Sequence, residues 1–374
     1  MATTNDNIKK TICYHVWSGI DISPQREYRP CCKIAKVFGH TLEEYQNNKD
    51  LKRMQAQFLK GEKPAECTRC WKDEDAGLPS KRQIDWEYIY SKQDLDNSDI
   101  RVAMLTFGNS CNLTCRSCSS YASSSWIKEE KKLFPTLKVY PHNNFYKNKE
   151  YHQELTTLSK TVTHVYIAGG EPFLSTDLKY HSQFLDLLSE RADQISLKYI
   201  TNCTVMPSNK MWEMFSQFKN VEFHLSIDGT ESTYEYLRYP AKWELVVKNM
   251  REYQTRCVGG NNLNLSIGHT VSILNVYYLP EFLVWCIRNQ FPTPYIGIVG
   301  WPEYYNIQNL PKKIKDKVAV KLNSPYSRKV LKYMYNKEDS PAIFDKFITI
   351  THALDQGRIG TIEQSLPEFY KLLK

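Results

Sequence analysis

From Arg101 onward, short apolar runs alternate with longer helical stretches, and this alternation constrains the fold more than any other feature of the chain. The runs are Val102–Phe107, His164–Ala168, Ser196–Ile200, Val221–Ile227, Leu263–Val271 and Tyr295–Val299. Helices are expected near 121–134, 177–191, 208–217, 242–256 and 279–289. Parallel strands need long crossovers, so six strands alternating with helices imply βα units and a parallel sheet. About 200 residues of such units fit a barrel, or an open fragment of one, better than a small doubly wound sheet.

The flanking segments read differently. Tyr14–Trp17 and Gly19–Ile22 are expected as short strands, and Leu42–Leu59 as a helix. Thr41 is a plausible N-cap with Glu44 three residues on, a capping box, and Gly61 would end the helix. Residues 76–100 are polar and connecting, and 310–374 read as helices interrupted at Pro325, Pro341 and Pro367. With 374 residues, 41% hydrophobic and 24% charged, the chain buries a core without disulfide staples, which argues against disorder or a fibre. No run approaches the roughly 18 apolar residues of a membrane helix. Met1–Lys10 lacks the apolar region of a secretory signal, so the expected compartment is the cytosol.

The net charge of +8 is unevenly placed: residues 1–100 balance, and the whole excess lies in 101–374. Part of it is the cluster Lys312, Lys313, Lys315, Lys317, Lys321, Arg328, Lys329 and Lys332. It reads either as a solvated helix face or as a surface for an anionic partner, nucleic acid not excluded.

Eleven cysteines in a reducing compartment point to metal or redox chemistry rather than disulfides. Cys111, Cys115 and Cys118 stand at C-x3-C-x2-C directly after the first strand. Three thiolates in eight residues can wrap one metal centre. A structural zinc site closes with four ligands, so zinc would need a distant fourth, whereas three cysteines on a four-iron cluster leave one iron open. A second group comprises Cys13, Cys31, Cys32, Cys67 and Cys70, with Cys67-Thr-Arg-Cys70 forming a C-x-x-C knuckle for which zinc is a real alternative. Cys286 sits in an apolar helix and reads as core, whereas Cys203 follows Asn202 at a strand end that should face the site. Nine histidines form no zincin-like spacing, and no phosphate loop or nucleophile elbow is present. Trp301-Pro-Glu-Tyr304-Tyr305, after the sixth strand, is either pocket lining or, with more weight, loop packing.

The C-x3-C-x2-C loop after the first strand resembles the radical S-adenosylmethionine (SAM) superfamily. Gly169-Gly170-Glu171-Pro172, just past the second strand, agrees with it. The resemblance implies a partial (β/α)6 barrel and a [4Fe–4S] cluster on Cys111, Cys115 and Cys118. It implies a SAM amino group against Gly169–Pro172, and SAM contacts from Asn202, Ser226 and Asp228. Arg238 resembles the arginine that pairs with the SAM carboxylate, to which a guanidinium fork is suited. An aromatic residue often precedes the third cysteine in this family, and Ser117 stands there instead, so the adenine contacts differ.

The run Cys13 … Pro30-Cys31-Cys32 … Cys67-x-x-Cys70-Trp71 … Glu74 … Gly77 … Ser80 … Arg82 resembles a twitch or SPASM-type auxiliary iron–sulfur module. Such modules usually follow the barrel, and here the order is reversed, as in twitch domain-containing radical SAM proteins. The usual pattern selects Cys31 over Cys32, so that Cys13, Cys31, Cys67 and Cys70 would hold a second [4Fe–4S] cluster. The expected organisation is an auxiliary module and linker over 1–100, the partial barrel over 101–305 and a helical C-terminal extension over 306–374. The implied activity is reductive SAM cleavage and hydrogen abstraction, with Cys203 a candidate hydrogen donor. An electron donor such as a flavodoxin or ferredoxin is implied. A peptide or protein side chain is the first choice of substrate, with a nucleotide or sugar-phosphate as the alternative. A zinc-bound interaction protein on a decayed barrel is the rival from another class.

Overall fold

The computed structural model describes residues 11–75, 77, 79–85, 99–143, 145, 148–174, 178–259 and 262–374. The N-terminal decapeptide, most of the connecting segment 76–100 and the expected start of a helix at 177 lie outside the described residues. Among the described residues the fold is α/β with eight strands, mostly parallel, and the chain divides into two compact units.

The first unit comprises residues 1–109, 143–199 and 209–221. Its strands run in the order β2-β1-β3-β4-β5. These are β1 (Gly19–Ile22), β2 (Tyr28–Arg29), β3 (Val102–Thr106), β4 (His164–Ala168) and β5 (Ser196–Thr201). β1 lies parallel to β3 and antiparallel to β2, so the N-terminal segment extends the sheet edge. The register sets Thr106 opposite Ala168, and the two strands therefore end side by side.

Tyr14–Trp17 is not a strand. Trp17 and Ser18 donate their N–H groups back to the Tyr14 carbonyl, and His15–Ser18 is a helical turn. The aromatic run that imitates a strand is used in packing, with Trp17 against Tyr14 and Phe58. The expected helix over Leu42–Leu59 is two helices, Leu42–Gln46 and Lys49–Leu59. Asn48 breaks them apart by capping the second, accepting from the N–H groups of Asp50 and Leu51. Thr41 caps the first through the Glu44 N–H, but the Glu44 carboxylate reaches the His40 N–H rather than that of Thr41.

The second unit comprises residues 110–142, 200–208 and 222–374. Most of β6 (Asn220–Ser226) belongs to it, followed by β7 (Leu263–Val271) and β8 (Tyr295–Ile298) in that order. β6 alternates in burial: Val221, Phe223 and Leu225 are buried, while Glu222, His224 and Ser226 share the half-buried face. The last residues form helices, of which Pro341–Asp355 is the longest. Ile350 and Leu354 from that helix pack on Trp126, with Cys118 against the same cluster.

Candidate functional site

The Cys111–Cys118 loop is fixed from several sides. Thr114 and Arg116 donate their N–H groups to the carbonyls of Tyr239 and Leu237, at 2.7 and 2.8 Å. The Trp126 indole donates to the Cys115 carbonyl at 3.0 Å, and the Ser125 hydroxyl to the Cys111 carbonyl at 2.7 Å. Arg116 is buried. Its Nε donates to the Tyr236 carbonyl, its Nη2 meets Asp355 at 2.5 Å, and its guanidinium lies over the Tyr236 ring. The Pro341–Asp355 helix therefore clamps the cysteine loop.

The three cysteines are half-buried. Burial pushes the Cys118 thiol up, and the neighbouring Cys115 and Cys111 push it further because like charges repel. Thiols this close ionise together only around a positive centre. Among the described residues, no three His, Cys, Asp or Glu converge closely enough to hold a single metal ion. A cluster asks less, since each thiolate binds its own iron.

The strand ends that follow β5 and β6 act on this loop. The Asn202 amide donates to the Asn112 side chain at 3.0 Å and lies 3.8 Å from the Cys111 sulfur. Its oxygen accepts from the Thr204 N–H and hydroxyl. Asp228 accepts from the Thr270 N–H at 2.8 Å and pairs with Arg238 at 2.7 Å. Arg238 Nη1 lies 4.0 Å from the Cys115 sulfur. Burial alone would lower the Arg238 pKa, but Asp228 and Cys115 hold it above the usual arginine value. Ser226 ends β6 on the half-buried face.

Cys203 is placed differently from its neighbours. It is fully buried with φ +64°, its thiol donates to the Val246 carbonyl at 3.9 Å, and its own carbonyl accepts from Asn249. Cys286 is buried as expected.

The Gly169–Pro172 turn belongs to the first unit. Gly169 has φ +81° and Gly170 φ +58°. A Cβ on Gly169 would stand 2.6 Å from Thr106 Cγ2, so only glycine fits. The Glu171 carboxylate is buried and accepts from the Phe173 N–H.

The second cysteine group also lies in the first unit. Cys13, Cys31, Cys67 and Cys70 are all buried and line one pocket together with His15, Lys33 and Arg82. Cys32 is exposed and is not among the lining residues. Burial pushes the thiols of Cys13, Cys31 and Cys70 up, and the backbone of His15, Lys33 and Arg82 respectively offsets this in part. Among the described residues no carboxylate lines the pocket, so four thiolates there would face two cationic side chains. Beside it, His15 Nε2 meets Asp85 at 2.6 Å, as does Lys81. Burial would raise the Asp85 pKa, but these two partners hold it down at about 2.

The basic stretch near the C-terminus is partly used internally. Lys315 is buried with Nζ on the Lys337 carbonyl, Lys321 pairs with Glu281 and Glu368, and Lys312 pairs with Asp316. In the Trp301–Tyr305 segment, Tyr305 is buried against Phe347 whereas Trp301 is 61% exposed.

Residues 105–271 match the sequence model of the Radical SAM superfamily. The chain carries a radical SAM domain. Such a domain is that of an enzyme whose cofactors are a [4Fe–4S] cluster and SAM. No curated protein sequence matches the chain. Among solved structures, native anSMEcpe with bound AdoMet and Cp18Cys peptide is 14% identical at a TM-score of 0.40, over 59% of this chain. The chain spans 62% of that protein's length. Native anSMEcpe with bound AdoMet is 15% identical at a TM-score of 0.43, over 69% of this chain and 68% of that one. Streptococcus suis SuiB bound to S-adenosylmethionine is 16% identical at 0.37, over 59% and 43%. No helix among the described residues is long and apolar enough to cross a membrane.

The sequence missed the residues that brace the radical SAM domain's cysteine loop: Trp126, Arg116 with Asp355, and Asn112 with Thr204. Asp355 stands 239 residues from its partner, and no local pattern announces such a pair.

Proposed function

We propose that the chain is a radical SAM enzyme of the twitch or SPASM type. In this reading a partial (β/α)6 barrel over 101–305 carries the reaction, 1–100 an auxiliary module and 306–374 a helical extension. Cys111, Cys115 and Cys118 hold the [4Fe–4S] cluster and leave one iron open. When bound, that cluster and SAM supply reductive cleavage to methionine and a 5′-deoxyadenosyl radical that abstracts hydrogen from a C–H bond. The Gly169–Pro172 turn presents bare backbone to the SAM amino group. Ser226 contacts SAM directly. Asn202 and Asp228 act toward it while bracing the loop through Asn112 and Arg238. Arg238 offers its guanidinium fork to the SAM carboxylate. The Cys203 thiol, buried against Val246, serves here as a core residue rather than as a hydrogen donor.

Cys13, Cys31, Cys67 and Cys70 hold a second [4Fe–4S] cluster, a reading supported by four buried cysteines around one pocket whose wall also carries the cationic side chains of Lys33 and Arg82. A flavodoxin or ferredoxin supplies electrons, and the substrate is a peptide or protein side chain, as the twitch/SPASM resemblance suggests.

The observation that carries the reading is the braced three-cysteine loop beginning five residues after β3, inside the matched domain. The experiment is anaerobic incubation of the reconstituted, dithionite-reduced protein with SAM. Formation of 5′-deoxyadenosine and methionine, abolished by alanine at Cys111, Cys115 or Cys118, is the expected result. Its absence in the wild type, with the cluster present, would sink the reading.

A further inference from the structure

We propose that Arg82 is the charge that sets the reduction potential of the cluster on Cys13, Cys31, Cys67 and Cys70. The proposal rests on the reading of that group as a cluster site. Arg82 lines the four-cysteine pocket and is buried. Its Nε and Nη2 donate to the two carboxylate oxygens of Glu74 at 3.1 and 2.7 Å, and its Nη1 donates to the Ile12 carbonyl at 3.0 Å. The guanidinium stands 5.0 Å from the centre of the Trp71 ring. Glu74 is in turn fixed by the Ser80 hydroxyl at 2.6 Å. The cation is thus held from every polar edge.

The arrangement is asymmetric. Arg82 lines the pocket, and its counter-ion Glu74 does not. Lys33, the other cation on the pocket wall, is only half-buried, so water screens it more. Reduction takes one electron from an outside reductant and adds one negative charge to the thiolate-bound cluster. A fixed cation in a weakly polar surrounding stabilises the more negative form and raises the potential. The Glu74 carboxylate is not on the pocket wall and opposes it more weakly. Removing either partner therefore moves the potential in opposite directions, which a loss of packing alone does not do.

The test is a potentiometric titration followed by electron paramagnetic resonance, with dithionite as the one-electron reductant. Full-length protein with Cys111, Cys115 and Cys118 changed to Ala is used, so that the remaining signal comes from the N-terminal cysteines. Arg82→Met is expected to lower the reduced-to-oxidised ratio at a fixed potential at least tenfold, a midpoint drop of about 59 mV. Glu74→Gln is expected to raise the midpoint, and Arg82→Lys to fall between wild type and Arg82→Met. An unchanged midpoint in Arg82→Met with full iron content would overturn the proposal. Should Arg82→Met fail to keep its cluster, Glu74→Gln decides: an upward shift supports the proposal and an unchanged or lower midpoint overturns it. Absence of iron and of any signal from the triple-alanine parent would instead overturn the cluster reading itself.

Discussion

Arg238 and Asp228 meet at 2.7 Å, and the same guanidinium reaches to 4.0 Å from the Cys115 sulfur. One buried ion pair thus ties the end of β6 to the cysteine loop of the radical SAM domain. Asp228→Asn would leave a buried guanidinium without its counter-charge, at a cost of about 3–5 kcal/mol. Thermal unfolding is expected to show that loss, together with a weaker SAM-induced change in the cluster signal. Arg238→Lys keeps the charge and loses the fork, and is expected to bind SAM at least about tenfold more weakly. Equal SAM affinity in Arg238→Lys would remove Arg238 from the binding assignment.

The Pro341–Asp355 helix has a measurable task. Asp355→Asn breaks the Arg116 pair and is expected to destabilise the second unit by about 3–5 kcal/mol. A deletion from Pro341 onward should also lower iron retention, because Ile350 and Leu354 pack on the Trp126 that holds the Cys115 carbonyl. Normal iron content in that deletion would show the clamp to be dispensable.

Gly169→Ala places a methyl within van der Waals overlap of Thr106 at a backbone angle that alanine resists. A loss of about 1–3 kcal/mol is expected from strain and overpacking. Iron content should be retained, since no cysteine is moved, while the spectral response to SAM falls. A full SAM response in Gly169→Ala would show that the turn has room to spare.

Much of the fold was legible from periodicity, because β3 to β7 bury one face or both and β3 to β8 read as apolar runs at the right spacing. The two cysteine groups stood out by their spacing, and the four-cysteine set of the second came from the twitch/SPASM resemblance. The choice of Cys31 rested on its position after proline, and the structure puts Cys31 in the pocket and Cys32 outside it. What was not legible depends on distant partners. Tyr14–Trp17 has strand composition, but its N–H groups bond locally. The helix Lys149–Ser159 was missed because its polar face dilutes the pattern, although Leu155 and Leu158 are buried. Cys203 sits just past a strand end, and its burial against Val246, 43 residues away, follows from no local pattern.

The pairing of Cys31 and Cys32 gives a direct contrast. Cys32→Ser is expected to keep the full iron content, and Cys31→Ser to lose about half of it, since about four irons belong to one cluster. Iron analysis of the two variants decides, and the reverse pattern would exchange the two assignments.

Asp21 gives a pH dependence with a definite sign. Burial raises its pKa to about 6 despite the Arg29 partner at 3.7 Å. The folded state therefore binds a proton more readily than the unfolded state between about pH 4 and 6. Its ionisation penalises folding above pH 6, and that penalty is relieved as the pH falls. Between pH 7.5 and 5 the relief is about 1 kcal/mol. Asp21→Asn should remove this part of the pH dependence and raise the unfolding temperature at pH 7.5. Parallel wild-type and variant curves across that range would contradict the assignment.

The most direct test of the whole account is iron and sulfide analysis with electron paramagnetic resonance, on protein purified and reconstituted without oxygen. SAM is added to the dithionite-reduced sample. The account predicts about eight iron and eight sulfide per chain, with one signal perturbed by SAM and lost when Cys111, Cys115 and Cys118 become Ala. Zinc as the sole metal, with no response to SAM, would contradict it.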